Sequence, residues 1–459
     1  MTFLFYLAAF IVALGPLIVA HELGHYWVAR WCGVKVLKFS IGFGKPLRTW
    51  VRGADNTEWV LAAIPLGGYV KMLDEREGSV ATEELSRTFN RKNVWQRIAI
   101  VIAGPAANLL MAILLYWILF MHGVPGMRPV VDAPVPASAA ATAGFEMGDV
   151  ILAVAGEPTP TWAEARWELL KHAVRRESVE VEVTTDSGSK LPRILSMSGL
   201  APSDLDGDFI RSLGLSRLQP RGAPEITAVT AGSAAERAGL KAGDEIIVIN
   251  NVTLESGDHA TRIIRENAGK SILFEVRRGS NGNSALVVFP VTPDTITEAD
   301  GRSFGRIGAM LQPQRRLFEK YRVNLSYGPL VSLGKAVVKT WDTSIFSLKM
   351  LGKMLVGEVS LKNLSGPITI ADYAGQSAKL GWIPYITFLA LISISLGVLN
   401  LLPIPLLDGG HLMYYIVEIF KGSPVSETAM EIGQRVGMGL LFLMMAFAIY
   451  NDVNRLISG

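Results

Sequence analysis

His21, Glu22, Leu23, Gly24 and His25 spell HELGH within an apolar stretch near the N-terminus. On a helix, residues four apart share one face about one turn apart. Two imidazoles at that spacing reach a single metal ion, and Glu22 stands beside the open coordination position as a general base. The chemistry such a set performs is metal-assisted hydrolysis. Phe3 to Ala20 carries no charged residue, and Tyr26, Trp27, Val28 and Ala29 continue the apolar run up to Arg30. An ionisable side chain at membrane depth costs about 2.5–3.5 kcal/mol on insertion scales. Three polar groups kept there argue for function over buried polar residues that neighbouring helices merely satisfy.

A catalytic zinc takes three protein ligands and leaves one position for water. The candidate for the third lies in the run Asn400-Leu401-Leu402-Pro403-Ile404-Pro405-Leu406-Leu407-Asp408-Gly409-Gly410-His411. Two prolines two residues apart cannot sit inside a regular helix, so the chain unwinds here. Unwound backbone at that depth must be buried in protein or line a wet cavity. Asp408 is freed to turn towards the first span, and His411 could take its place chemically.

These residues need elements to hold them, and the composition says which kind. The 459 residues are 50% hydrophobic and 19% charged, with a mean hydropathy of +0.32, the profile of a membrane protein. A net charge of +3 is too small to suggest a nucleic-acid partner. Cys32 is the single cysteine, which excludes an internal disulfide and a cysteine-based zinc finger. No Lys or Arg precedes the first apolar run, and Ile18-Val19-Ala20 is a poor cleavage site, so that run reads as a retained span.

Four segments are apolar enough to span a bilayer, about 3–29, 98–121, 384–417 and 436–450. The loop between the first two is rich in Lys and Arg, among them Lys35, Lys38, Arg48, Lys71, Arg87 and Arg91, and is therefore expected on the cytoplasmic side. Both termini and the insert from about 122 to 383 then lie outside, with HELGH near the cytoplasmic end of span one. Within residues 31–96, the apolar and β-branched runs Val34–Phe43 and Trp59–Met72 are broken by Gly42, Gly44, Gly67 and Gly68, which predicts a small re-entrant β-loop.

The insert repeats itself. Ser138, Gly144, Gly148 and Asp149 recur 95 positions on as Ser233, Gly239, Gly243 and Asp244, each set followed by a strand-like run. Leu213-Gly214-Leu215 and Ile307-Gly308-Ala309 close the two copies. The pattern resembles bacterial PDZ domains, which implies two mixed α/β units, at 127–220 and 221–313. In such domains an exposed strand edge accepts a peptide as an added strand. Residues 314–383 follow, and Leu330 to Val356 intersperses lysines among apolar residues, as amphipathic helices on a membrane surface do. The last domain, 384–459, holds spans three and four behind the first unit, 1–126.

HELGH in the first span, Gly104-Pro105-Ala106-Ala107-Asn108 opening the second, and Asn-x-x-Pro-x-Pro-x-x-Asp-Gly in the third resemble the site-2 proteases, zinc intramembrane metalloproteases. The resemblance covers essentially the whole chain. It implies a membrane helical bundle of about four spans with a cytoplasmic β-loop and two PDZ domains. It implies that His21, His25 and Asp408 bind Zn2+, choosing Asp408 over His411, and that Glu22 is the base. It further implies that Asn400, with Pro403 and Pro405, helps hold the substrate backbone. The β-loop, with Gly42, Gly44, Gly67, Gly68 and Tyr69, would pair with the substrate as an added strand.

The implied substrate is a single-span membrane protein, such as an anti-sigma factor, already shortened by an upstream site-1 protease, or a leftover signal peptide. The implied location is a bacterial inner membrane, with the PDZ pair and both termini periplasmic and the active site near the cytoplasmic side. Two rival readings remain on the residues alone, a zinc transporter and a PDZ scaffold with a structural metal. Neither gives Glu22 a task. Gly104, Pro105 and Asn108 have no mechanism on the sequence beyond close helix packing.

Overall fold

The computed structural model describes residues 2–201, 204–205, 208–218, 222–279, 284–297, 303–313, 319–360 and 366–458. The chain divides into two units, Met1–Val124 with Ala201–Asp208 and Asn324–Gly459, and Pro125–Leu200 with Phe209–Val323.

Helices dominate the first unit. We number them α1 (Thr2–Trp31), α2 (Val94–His122), α3 (Pro329–Leu355), α4 (Pro367–Leu380), α5 (Trp382–Asn400), α6 (Asp408–Lys421) and α7 (Glu427–Ser458). Four of them contain stretches long and apolar enough to cross a membrane: Leu4–Trp31, Val94–His122, Trp382–Asn400 and Glu427–Arg455. The apolar segment 384–417 is thus not one helix. It stops at Asn400 and restarts at Asp408, because Pro403 and Pro405 have no N–H to continue the ladder. Residues 436–450 form the middle of a longer helix, α7.

Small residues set how closely the helices approach. A Cβ on Gly24 would stand 2.2 Å from the carbonyl oxygen of Ala103, so α1 and α2 touch backbone to backbone there. Gly397 of α5 faces Pro105 in the same way, its added Cβ meeting the Pro105 carbonyl oxygen at 3.1 Å. Ala112, Tyr116 and Leu119 of α2, Ala336 of α3 and Ala390, Ile394 and Val398 of α5 form one buried cluster. At the other end of the chain, Asp452 of α7 accepts hydrogen bonds from the N–H groups of Gly366, Ile368 and Thr369. It thereby caps α4, whose first N–H groups have no helical acceptor.

Between α1 and α2, strands β1 (Val36–Arg52) and β2 (Thr57–Met72) pair antiparallel and fold back on themselves. Val36–Ile41 has Glu58–Leu61 on one side and Gly68–Met72 on the other, while Pro46–Arg52 pairs with Thr57–Ala62. The bend falls at Gly42 and Gly44, with φ of 91° and 85°, a region L side chains rarely enter. Phe39 packs on Trp59, with ring centroids 4.5 Å apart, and on Tyr26 of α1. Tyr26, Ala29, Val36, Phe39 and Ile100 share one buried cluster, so the hairpin is fastened to α1 and α2. The outer edge of Gly68–Met72 pairs with no third strand among the described residues.

Among the described residues the second unit holds two larger sheets and a two-stranded ribbon, Asp294–Thr297 with Ser303–Arg306. One has four strands in the order Glu157–Pro158, Val150–Val154, Val179–Thr184, Lys190–Leu195, with helix Trp162–Ala173 started by a Thr161–Glu164 capping box. The other has six strands, centred on Glu245–Ile249, with helix Gly257–Glu266. The sequence repeat is a structural one. Ser138 and Ser233 each cap a one-turn helix. The buried carboxylates of Asp149 and Asp244 each accept a main-chain N–H, from Glu146 and Lys241, and each meets an arginine, Arg193 and Arg278. Gly214 and Gly308 each back onto the capping serine, where a Cβ would stand 2.0 Å from Ser138 Oγ and 2.4 Å from Ser233 Cβ.

Candidate metal centre

His21 and His25 lie one turn apart on α1 and converge as their spacing requires. Their Nε2 atoms are 3.2 Å apart. Asp408 comes to them from α6, with Oδ2 3.2 Å from His21 Nε2 and Oδ1 3.4 Å from His25 Nε2. A tetrahedral ion with bonds of about 2.0–2.2 Å has ligand-to-ligand edges of about 3.3–3.6 Å. The observed separations of 3.2, 3.2 and 3.4 Å, the last two ending on different Asp408 oxygens, are close to those spacings and leave one point that all three side chains can reach. Apart from the facing His21 Nε2, the buried Asp408 Oδ2 has no hydrogen-bond partner among the described residues, which suits a carboxylate that binds a cation. Two imidazole nitrogens and one carboxylate are the donor set of catalytic zinc. The residues fit the group.

His25 is held from the far side. Its Nδ1 lies 2.8 Å from the main-chain carbonyl oxygen of Ile100 on α2. A carbonyl only accepts, so Nδ1 carries the proton and Nε2 keeps the lone pair a metal needs. One turn on along α2, Gly104 leaves room for both rings, since a Cβ there would stand 2.3 Å from His25 Nε2 and 2.8 Å from His21 Cε1.

Asp408 is placed by the break between α5 and α6. Leu406 adopts φ of 93°, a strained value for a residue with a Cβ. Gly409 and Gly410 then tuck the first turn of α6 under the loop, where added Cβ atoms would meet the carbonyl oxygens of Leu402 and Ile404 at 2.1 and 2.5 Å. Farther along α6, Glu418 Oε1 accepts from Arg97 Nη2 of α2 at 2.5 Å, and the same guanidinium lies over the Tyr415 ring. These contacts lock α6 to the helix that backs His25.

The cluster opens into a cavity of about 780 Å³ lined in part by Glu22, Gly68, Tyr69, Asn400 and His411. Glu22 is buried and reaches the hairpin, where a Cβ on Gly68 would stand 2.8 Å from Glu22 Cγ. His411 lines the cavity without joining the three-residue cluster.

Of the residues singled out in the sequence, His21, Glu22, His25, Gly68, Tyr69, Asn400 and Asp408 meet around this one cavity. Gly42, Gly44, Gly67, Pro403 and Pro405 are not among its lining residues. Gly42 and Gly44 turn the hairpin, Gly67 passes against the Phe43 ring, and the two prolines form the helix break. Ile100 was missed because it acts through its main chain. Gly104 had a signal: Ile100 and Gly104 are i and i+4, the spacing of the two histidines they face.

Fold and site together define a class, a hydrolase whose two clustered histidines and glutamate are carried by an apolar, membrane-length helix and whose aspartate opens the short helix that follows another. The family described as Peptidase family M50 matches residues 9–444, and the chain belongs to it. The chain is 43% identical over 459 residues to the "Regulator of sigma-E protease RseP" of Salmonella typhimurium, covering 99% of this chain and 100% of that protein. It is 42% identical to the protein of the same name in Escherichia coli, with the same coverage. A Neisseria meningitidis protein named "Putative zinc metalloprotease NMA0084" is 43% identical, covering 98% of this chain and 99% of that one. Among solved structures, a PDZ domain of an SdrC-like protein from Listeria innocua covers 20% of this chain and 98% of that one at 18% identity. Its TM-score of 0.16 is too low to bear on the fold.

Proposed function

We propose that this chain is an intramembrane zinc metallopeptidase that hydrolyses a peptide bond within the transmembrane segment of single-span proteins already shortened by another protease. Anti-sigma factors and remnant signal peptides are the substrates this reading favours. The observation that carries it is the convergence of His21 and His25, on a membrane-length helix, with Asp408 beside a buried Glu22 and next to a strand edge that pairs with no third strand among the described residues.

Zinc held by His21, His25 and Asp408 would polarise the scissile carbonyl and lower the pKa of water to about 7. Glu22 takes the proton from the attacking water and delivers it to the leaving nitrogen as the C–N bond breaks. A helical substrate has its carbonyls bound to N–H groups four residues on, so it must unwind before attack. The free edge of Gly68–Met72 and the side-chain amide of Asn400 offer replacement hydrogen bonds, which lowers that cost. The two repeated lobes of the second unit act as paired PDZ domains that exclude unshortened substrates by size. The Lys- and Arg-rich hairpin side is cytoplasmic, and the lobes and both termini are periplasmic, in a bacterial inner membrane.

The test is cleavage of a pre-shortened single-span substrate in detergent by wild type and Glu22→Gln, with metal content measured in both. The reading requires metal in both and cleavage by wild type alone. Metal in both with cleavage in neither, across several spans, would overturn it in favour of a transporter or scaffold.

A further inference from the structure

The cluster on α1 is backed by α2 along a single face, and that face holds one polar side chain with no assigned task. Ile100, Gly104 and Asn108 follow one another at intervals of four. Ile100 accepts from His25 Nδ1, and Gly104 makes room for both rings. Asn108 stands opposite His21, with its side-chain amide nitrogen 3.2 Å from His21 Nδ1. It is fully buried, and its Oδ1 has no hydrogen-bond partner among the described residues. Ser393 of α5 donates to the Asn108 main-chain carbonyl at 2.7 Å and so pins the backbone beneath this contact.

The amide has two orientations related by a half-turn. With nitrogen towards the ring it donates to Nδ1, which puts the imidazole proton on Nε2 and spends the atom that faces His25 and Asp408. Turned over, Oδ1 accepts Nδ1–H and Nε2 keeps its lone pair. Only the second orientation allows His21 to be a ligand. It also gives both histidines the same arrangement, each with Nδ1–H donated to an oxygen of α2.

We propose that Asn108 is a positioning residue for the metal centre: its side-chain oxygen accepts the Nδ1–H of His21 and holds Nε2 towards the site shared with His25 and Asp408. The inference rests on the metal reading given above. An outer partner of this type is worth about 10–100-fold in metal affinity.

The test uses the full chain in detergent and reads zinc retention against a graded chelator, together with the visible absorption of the Co2+-substituted protein. The variants are Asn108→Leu, Asn108→Ala and Asn108→Asp. The Leu and Ala variants lack an acceptor and should release zinc at about 10–100-fold lower chelator concentration, with an altered Co2+ band. Asn108→Asp keeps an acceptor and should hold zinc within about threefold of wild type, with a wild-type band. A purely structural role predicts the opposite order, because a buried interhelical site tolerates Leu better than a carboxylate. Leu and Ala variants with wild-type retention and spectrum would overturn the inference, and so would an Asp variant as weak as Leu. If wild type holds no stoichiometric metal, or His21→Ala keeps it, the metal centre itself fails instead.

Discussion

His25 Nδ1 lies 2.8 Å from the carbonyl oxygen of Ile100, and this contact ties the tautomer of a residue on α1 to the backbone of α2. A ring held in that way is only as well placed as the two helices are. The spacing of α1 and α2, set by Gly24 against Ala103 and by Gly104 against both histidines, is therefore part of the candidate metal site.

Gly104→Ala tests that dependence. Its Cβ would stand 2.3 Å from His25 Nε2, and the imidazole cannot retreat without leaving Ile100. Overpacking of this type costs about 1–3 kcal/mol, which lowers metal affinity about five- to hundredfold. Chelator competition on the purified variant, with thermal unfolding as a control, should show weak metal binding in a folded protein. Gly24→Ala should act in the same direction, since its Cβ meets the main chain of Ala103, which cannot give way as a side chain can.

Asp408 and His411 were chemically interchangeable in the sequence, and the structure separates them. Asp408 reaches both histidines, while His411 lies one turn on along α6 and outside the cluster. Asp408→Ala should lose metal and cleavage together. His411→Ala should keep stoichiometric metal. Metal analysis of the two variants decides the point, and retained metal in Asp408→Ala would remove it from the ligand set.

What could be read in advance followed from periodicity and from prolines. His21 and His25 at i and i+4 needed only a helix, and Pro403 and Pro405 ensured that the third apolar segment could not be one helix. The glycines at 42, 44, 67 and 68 marked the hairpin's tight passages without revealing its path. The insertion of Val36–Ile41 between the two halves of β2 depends on Phe39 finding Trp59 and Tyr26, a contact between residues distant in sequence. The role of Ile100 was invisible because a main-chain carbonyl has no letter in a sequence. Gly68 looked like a turn residue, and its closeness to Glu22 appears only when the hairpin is folded onto α1.

That closeness separates the proposed base from the proposed metal site. A Cβ on Gly68 would stand 2.8 Å from Glu22 Cγ and 2.8 Å from the Ser40 carbonyl oxygen. Gly68→Ala must push either the carboxylate or the strand edge. Neither movement touches His21, His25 or Asp408 directly. The variant should keep its metal and lose at least tenfold in single-turnover cleavage, in line with the 10²–10⁴-fold worth of general acid–base catalysis. Equal losses of metal and rate would instead mean that the hairpin holds the metal cluster together.

Substrate choice should follow helix strength. The outer edge of Gly68–Met72 and Asn400 can serve only a substrate whose own hydrogen bonds have opened. Relative to Ala, a helix loses about 1 kcal/mol at Gly and about 3 kcal/mol at Pro, so a central Gly-Pro pair makes opening easier by about 4 kcal/mol in all. If opening limits the rate, a single-span substrate with that pair should be cut at least tenfold faster than a poly-Leu span of equal length. The comparison is made by single-turnover cleavage in detergent with both spans pre-shortened. Equal rates would mean that opening is not limiting, and that the strand edge serves to hold the substrate after some faster step has unwound it.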